Sequence, residues 1–452
     1  LRKEAASVTI YSSYDVRIPT HEFNKTLTDT TKKYREAVAF FISVRLQDNA
    51  LFTELKNQHE QLRKMELLTN RTKSNPDPKY DFGLNFYKFP SYLRRAAIAE
   101  ALGKVASYES NLSLWAKNRH GKKPGKPVAG YVYPALYRDN TYIRMDEYHA
   151  QVKVWVRNTW DWITVPLRKT DVFYIRKHCL GRKECVPTLR KRHNYWVLSF
   201  SFEEKVKLTD IPLEEQIILS VDLGINSACA CSAMRSDGTI LGRKFLNLPK
   251  EEDSLTHALN KIKKAQQHGA MRAPRLWAKA KGINDQISVR TAQFIVDTAI
   301  LYSAFTIVFE HLDTKGKKKG SKSKRQRIQH WRAQYVQSVV ADKAHRLGIR
   351  ISRVNAWNTS RLAFDGSGEV IRGKEAGFKT NAMCKFRNGK TYNCDLNASY
   401  NIGARYFIRE ILKSLPATSR LRIEANDPQC RKRSTSTYST LINLCAELHA
   451  AA

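Results

Sequence analysis

The spacing of apolar residues changes along this chain, and the changes divide it into segments. SVTIYSSYDVRIP (7–19) has strand character, and THEFNKTLTDTTKKYREAVAFFISVRLQ after it predicts a long helix following a polar start. A polar, proline-bearing loop, TNRTKSNPDPKYD (69–81), leads to FPSYLRRAAIAEALGKVASYESNLSLWAK, a second helix opening just after Pro90. The Gly/Pro/Lys-rich GKKPGKPVAG (121–130) marks a boundary. Beyond it the period falls to two: QVKVWV, WITVPL and NYWVLSFSF alternate or run as short β-rich segments, the first two joined by a turn-like RNTWD. This half therefore predicts a strand, a helical insertion and a β-barrel-like completion. It contains no internal repeat.

The second half has a different pattern, in which short apolar runs end in acids. QIILSV (216–221) stops at Asp222, and Gly224 breaks the run, so the run reads as a buried strand presenting a carboxylate at its edge. AFTIVF (304–309) repeats the arrangement and delivers Glu310. Asp395 instead opens a segment in which Leu396, Ile402, Ile408, Ile411 and Leu412 recur at roughly helical spacing, placing it near a helix start. Between the first two acids, residues 256–302 predict helix packed across the sheet, with Arg272, Arg275, Lys279 and Lys281 facing nucleic acid or solvent.

Three carboxylates that converge repel one another and call for a cation. Magnesium, a hard ion, suits oxygen ligands. Two such ions activate a water and stabilise the leaving oxygen of a phosphodiester displacement. Taken singly the signals are weak. Asp-x-Gly after a first strand also occurs in sugar-kinase and actin-like ATPases, and a Glu after an apolar run is usually a solvated strand end.

Charge narrows the partner. Lys and Arg number 78 against 42 Asp and Glu, for a net charge of +36 spread over 452 residues, which suits a long polyanion in an extended channel. No apolar run approaches the length of a membrane span, and no signal peptide is expected. Basic residues cluster at Lys117, Arg119, Lys122, Lys123 and Lys126, and again at Arg176, Lys177, Arg182, Lys183, Arg190, Lys191 and Arg192. They suit phosphate contacts, while Trp115, Tyr131, Tyr133, Tyr137, Trp155, Trp160, Trp162 and Trp196 among them either stack on bases or fill a core. The run KGKKKGSKSKRQR (315–327), with Lys317, Lys318, Lys319 and Arg325, reads as a mobile basic loop next to Glu310. Eight cysteines form no disulfide framework, which fits a reducing compartment. Cys229 and Cys231 read as small strand residues.

In order and surroundings, the three acidic motifs resemble the RuvC-type, RNase H-like nuclease domain of the TnpB family and its descendants, the compact type V CRISPR effector nucleases. Asp222 with Gly224 and Asn226 matches the first motif, Glu310 the second, and Asp395 within D-L-N-A-S-x-N-I-G the third. HWRAQYVQSVVADKAHRLGIRISRVNAWNTS (330–360) is similar to the family's helix, strand and Thr-Ser before a zinc ribbon. The resemblance is strong over about 215–410. There is one departure: where the ribbon places its two C-x-x-C pairs, this chain has Ala363, Gly366, Cys384 and Arg387, and one thiolate cannot make a tetrahedral zinc site. Zinc is therefore not expected, and the insert is expected to rely on packing.

The resemblance implies a multidomain α/β plus β protein. A wedge β-barrel (first strand 1–20, remainder 121–213) is interrupted by a helical recognition lobe (21–120). The RuvC-like nuclease follows (214–354 and 395–452, the latter with the C-terminal tail) and is interrupted by a nucleic-acid-binding insert, a degenerate zinc ribbon (355–394). It implies an RNA-guided DNA endonuclease with guide RNA and target DNA, duplex and single-stranded, as partners. Asp222, Glu310 and Asp395 would hold two magnesium ions, with manganese as an in vitro substitute, and no membrane is involved. The N-terminal half would read a short flanking DNA motif, and the basic loop would be a lid. Asn397 and Asn401 either orient Asp395 or pack the helix. The tail beyond about 415 has no counterpart. The alternatives are a nuclease-inactive RNA-guided repressor, a guide-independent RNase H-like resolvase or transposase, and an actin-type kinase or ATPase. The expected location is cytoplasmic, or nuclear for a eukaryotic relative.

Overall fold

In the computed structural model the chain divides into two units, Tyr11–Glu204 and Leu1–Ile10 with Lys205–Ala452. The structure describes residues 6–451 apart from 56, 119–121, 225–226, 271, 313–331 and 433. Arg119, Asn226 and the basic loop with Lys317, Lys318, Lys319 and Arg325 therefore lie outside the described residues.

The N-terminal unit is built from β1 (Ser7–Ile18), the helices α1 (Asn24–Gln47), α2 (Gln58–Thr69) and α3 (Ser91–Asn118), strands β2 (Tyr142–Arg144), β3 (His149–Val156) and β4 (Thr159–Pro166), helix α4 (Lys169–Cys179), and strands β5 (Lys183–Glu184), β6 (Thr188–Arg192) and β7 (Tyr195–Lys207). The β3–β4 hairpin turns on Arg157 and Asn158, both at positive φ (49° and 59°), the left-handed pair that matches strand twist in a two-residue loop. Trp155 and Trp160 face each other across it. Helices α1 and α3 bury Val38, Phe41, Leu93, Ala97 and Ala101, a run of small and large residues at helical spacing. The predicted barrel does not form: β1, β7, β5 and β6 make one open sheet and β2–β3–β4 another, with no closed barrel among the described residues. Alternation along a strand specifies a buried face, but closure needs hydrogen-bonded partners at both edges, and the sequence pattern does not contain them.

The second unit centres on a five-stranded sheet, β8 (Ile217–Asp222), β9 (Cys229–Arg235), β10 (Ile240–Leu246), β11 (Thr306–His311) and β12 (Arg350–Asn355), in the order β10-β9-β8-β11-β12. Strands β8, β11 and β12 run parallel, and β9 and β10 antiparallel to their neighbours. Between β10 and β11 come α5 (Pro249–Gln267) and α6 (Pro274–Leu301), the predicted helical stretch broken at 268–273, and α7 (Ala333–Arg346) precedes β12. Arg272, Arg275, Lys279 and Lys281 are all exposed. The insert carries a small sheet, β13 (Ile371–Arg372), β14 (Met383–Lys385) and β15 (Thr391–Asn393), and then α8 (Cys394–Ser414), α9 (Ala417–Asn426) and α10 (Tyr438–Ala451) complete the chain.

The sheet is buried on both faces. Leu219, Val221, Ile307 and Phe309 join Ile295, Val296, Val336 and Val340 of α6 and α7 in one core. The alternate residues Ile218 and Val308 join Ile402, Phe407 and Ile408 of α8 and Leu441 and Leu444 of α10 in the other. Period-two alternation thus assigns each strand residue to a face.

Candidate active site

Register brings the first two acids side by side. Val221 of β8 pairs in parallel with Phe309 of β11, so the next residue on each strand, Asp222 and Glu310, stands level at the strand ends. Val221 and Phe309 face the α6/α7 core, which turns Asp222 and Glu310 to the face covered by α8. Asp395 lies in the first turn of α8, whose N-cap Asn393 accepts a hydrogen bond from Leu396 N at 2.9 Å. A carboxylate there also faces the positive end of the helix dipole. Gly224 permits the turn after β8: a Cβ there would lie 2.5 Å from the Ser227 carbonyl oxygen. Gly224→Ala is accordingly expected to destabilise the protein by about 1–3 kcal/mol, read as a lowered denaturant midpoint.

Electrostatics record the convergence. Desolvation, followed by the charges of Glu310 and Asp395, pushes the Asp222 carboxyl well above its ordinary range, opposed by Arg372. Glu310 is raised by desolvation, against a hydrogen bond from Thr359 and the charge of Arg405. Ser227 donates to Asp395 Oδ2 at 2.5 Å, and the Thr359 hydroxyl donates to Glu310 Oε1. Arg372 Nη2 is buried without a hydrogen-bond partner. Mutually repelling oxygen donors suit a hard divalent cation. Among the described residues, however, no three His, Cys, Asp or Glu side chains are already gathered as a metal cage. Ser227, Thr359, Arg372 and Arg405 were not singled out from sequence. Only Thr359 carried a signal, in the Thr-Ser after β12.

In the insert, the expected zinc positions hold other structure. Ala363, Cys384, Phe386 and Cys394 are buried, with Phe364, Val370 and Tyr392 packed against them. The Phe364 ring lies 4.9 Å from Tyr392, 5.2 Å from Tyr400 and 6.0 Å from Tyr438, tying the insert to α8 and α10. Asn397 does not orient Asp395: its amide donates to Leu362 O at 2.9 Å and accepts from Phe364 N at 2.8 Å.

In the N-terminal unit, an open groove of about 1170 Å³ runs between α3, the 124–133 segment and β6, lined among others by Lys104, Lys126, Tyr131, Arg190, Lys191 and Arg192. Tyr131 is 90% exposed, whereas Trp196 is buried and Trp160 packs edge-on against Phe89 at 4.9 Å. Of the predicted phosphate contacts, Lys126, Arg190, Lys191 and Arg192 line the groove, the last also pairing with Asp15 at 2.8 Å. Arg182 and Lys183 pair with Glu204 and Glu203. Lys117, Lys122 and Lys123 do not line the groove, and Lys123 sits over the Trp115 ring at 5.9 Å.

Among the described residues no helix is long and apolar enough to cross a membrane. Residues 12–156 match the Aq_aa04 family. The TnpB-like protein aq_aa05 of Aquifex aeolicus (strain VF5) is 27% identical over 234 residues, 47% of this chain and 74% of that protein. Among solved structures, a Cas12f1 complex with single-guide RNA and target DNA aligns at 16% identity over 87% of this chain and 98% of its own, with a TM-score of 0.33. Alicyclobacillus acidoterrestris C2c1 with single-guide RNA aligns at 11% identity over 85% and 69%, with a TM-score of 0.42. The family that the three acidic motifs resemble and the separate sequence match to the Aquifex protein agree, and the chain is similar in sequence to a TnpB-like protein.

Proposed function

We propose that this protein is an RNA-guided, magnesium-dependent DNA endonuclease, with guide pairing supplying most of the sequence specificity. The observation that supports the reading most is that register sets Asp222 and Glu310 level on adjacent strands, with the charges of Glu310 and Asp395 both bearing on Asp222. The strand order and the helix covering that face support an RNase H-like, RuvC-type domain. Asp222, Glu310 and Asp395 would hold the metal, magnesium or manganese. When bound, it supplies an activated water and stabilises the leaving oxygen of the phosphodiester. The chain's own part is orientation: Ser227 and Thr359 hold two of the carboxylates, and Arg372 places positive charge by the third. No protein general base is required. The N-terminal groove would hold guide RNA or the DNA flanking the target, and the working place is the cytoplasm.

The test is to sequence the RNA that co-purifies with the protein and to supply DNA matching it with magnesium. Guided cutting is the expected result. Cutting that ignores the guide would favour a resolvase or transposase. Guided binding without cutting would favour a repressor. Arg190→Gln with Arg192→Gln is expected to weaken nucleic-acid binding across sequences. It should also flatten the dependence of log affinity on log salt by about 1–2, measured by titration at several salt concentrations.

A further inference from the structure

Three buried residues of α8, Asn397, Asn401 and Arg405, recur every four residues on one stripe, and all three spend their polar atoms on backbone outside the helix. Asn401 Nδ2 donates to the carbonyls of Thr359 at 2.9 Å and Leu362 at 3.0 Å, and its Oδ1 accepts from Tyr438 N at 3.0 Å. Arg405 Nη1 donates to Asn355 O at 2.7 Å and Trp357 O at 2.8 Å. Its Nε and Nη2 donate to Ser436 O at 3.0 Å and Ser434 O at 3.1 Å. Burial lowers the Arg405 pKa to about 10, opposed by the charge of Glu310, which raises it.

These bonds tie together the loop after β12 and residues 434–438 of the C-terminal segment, for which the sequence suggested no role. The product is a fixed place for one hydroxyl. Thr359 is 2% exposed, and its Oγ1 reaches both Glu310 Oε1 and the Ala356 carbonyl, the latter at 3.1 Å. A hydroxyl has one proton to donate, so Thr359 serves whichever acceptor carries more charge. Glu310 is held from its other end too: Gln337 Nε2 donates to its backbone carbonyl at 2.9 Å and is itself fixed by Arg353 at 3.0 Å.

We propose that Thr359 is a positioning residue for Glu310, and that Asn401, Arg405 and the 434–438 segment form the clamp that holds it in place. The inference rests on the reading of Glu310 as a metal ligand. Its function is to aim one carboxylate oxygen so that the pair of strand-end acids presents a set geometry to a divalent cation. Groups that orient a ligand in this way usually change metal affinity by about 10–100-fold when removed.

The experiment measures manganese binding to the full chain by electron paramagnetic resonance, without any cleavage. Thr359→Val, which keeps the shape and removes the hydroxyl, is expected to weaken binding about tenfold or more, and Thr359→Ser to restore it to within about twofold. Arg405→Lys keeps the charge but loses the planar fork. It is expected to weaken binding as well, and the double variant to lose no more than the larger single loss, since both act through one hydroxyl. Thermal melting of each variant identifies folded protein, and Thr359→Ala, which also removes the hydroxyl and carries the same expectation, replaces Thr359→Val should that variant fail to fold. Unchanged affinity in Thr359→Val while Glu310→Ala loses it overturns this inference and leaves the carboxylate site standing. Fully additive losses overturn the clamp. Parental affinity in Asp222→Ala and Glu310→Ala together would overturn both this inference and the metal reading beneath it.

Discussion

Asp222→Ala and Asp395→Ala are each expected to cut magnesium-dependent DNA cleavage on the order of a thousandfold or more, a loss of about 4 kcal/mol of transition-state stabilisation, while guided binding persists. The two acids come from a strand end and a helix start whose positions depend on burial behind them, not on the carboxylates themselves. Removing either should therefore leave the scaffold folded. Asp222→Asn has a second, independent consequence. The folded-state pKa of Asp222 is raised, so ionisation costs stability, and that cost appears as pH rises above the ordinary carboxylate range and is complete above the folded value. In metal-free buffer, the variant is expected to melt higher than the parent at neutral pH and to converge with it at acid pH. Full cleavage by either alanine variant would remove the proposed active site. A melting difference that shrinks as pH rises would contradict the electrostatic account.

Phe386→Ala is expected to open the insert while leaving the main sheet intact. Phe386 is 1% exposed, its ring 5.5 Å from Phe364 and 6.0 Å from Tyr392, in a core of only a few side chains. Truncating a buried Phe costs about 3–5 kcal/mol, more than three strands of two or three residues can spare. Hydrogen exchange should show protection lost over 361–393 and retained in β8 and β11. A zinc chelator should change neither. If the chelator alone unravels the insert, packing is not what holds it.

How much of this could be read beforehand follows from which interactions are local. Strand character around 216–221 and 304–309, and the helix after Asp395, were legible because a few neighbouring residues specify them. So was a turn within 157–161, although the hairpin closes over 157–158 alone and β4 already starts at Thr159. No closed barrel is seen among the described residues for the opposite reason: a strand's own alternation says nothing of who pairs with its edges. The sequence around Asn397 allows both orienting Asp395 and packing the helix, because the partners that decide, Leu362 and Phe364, lie more than thirty residues away. Arg405 was missed because nothing nearby in the chain marks an arginine that is to be buried among four distant carbonyls.

The sequence by itself determined the three acids, their local contexts, the excess of positive charge and the residues Ala363, Gly366, Cys384 and Arg387 of the insert. These depend only on residue identity and short spacing. The tertiary structure alone decided that Asp222 and Glu310 stand level, that both turn toward α8, and that Thr359 and Ser227 hold two of the acids. Register between distant parallel strands, and the face on which a helix settles, are set by the burial of Val221, Phe309, Ile218 and Val308 against elements far along the chain, and such long-range packing has no short-range signature.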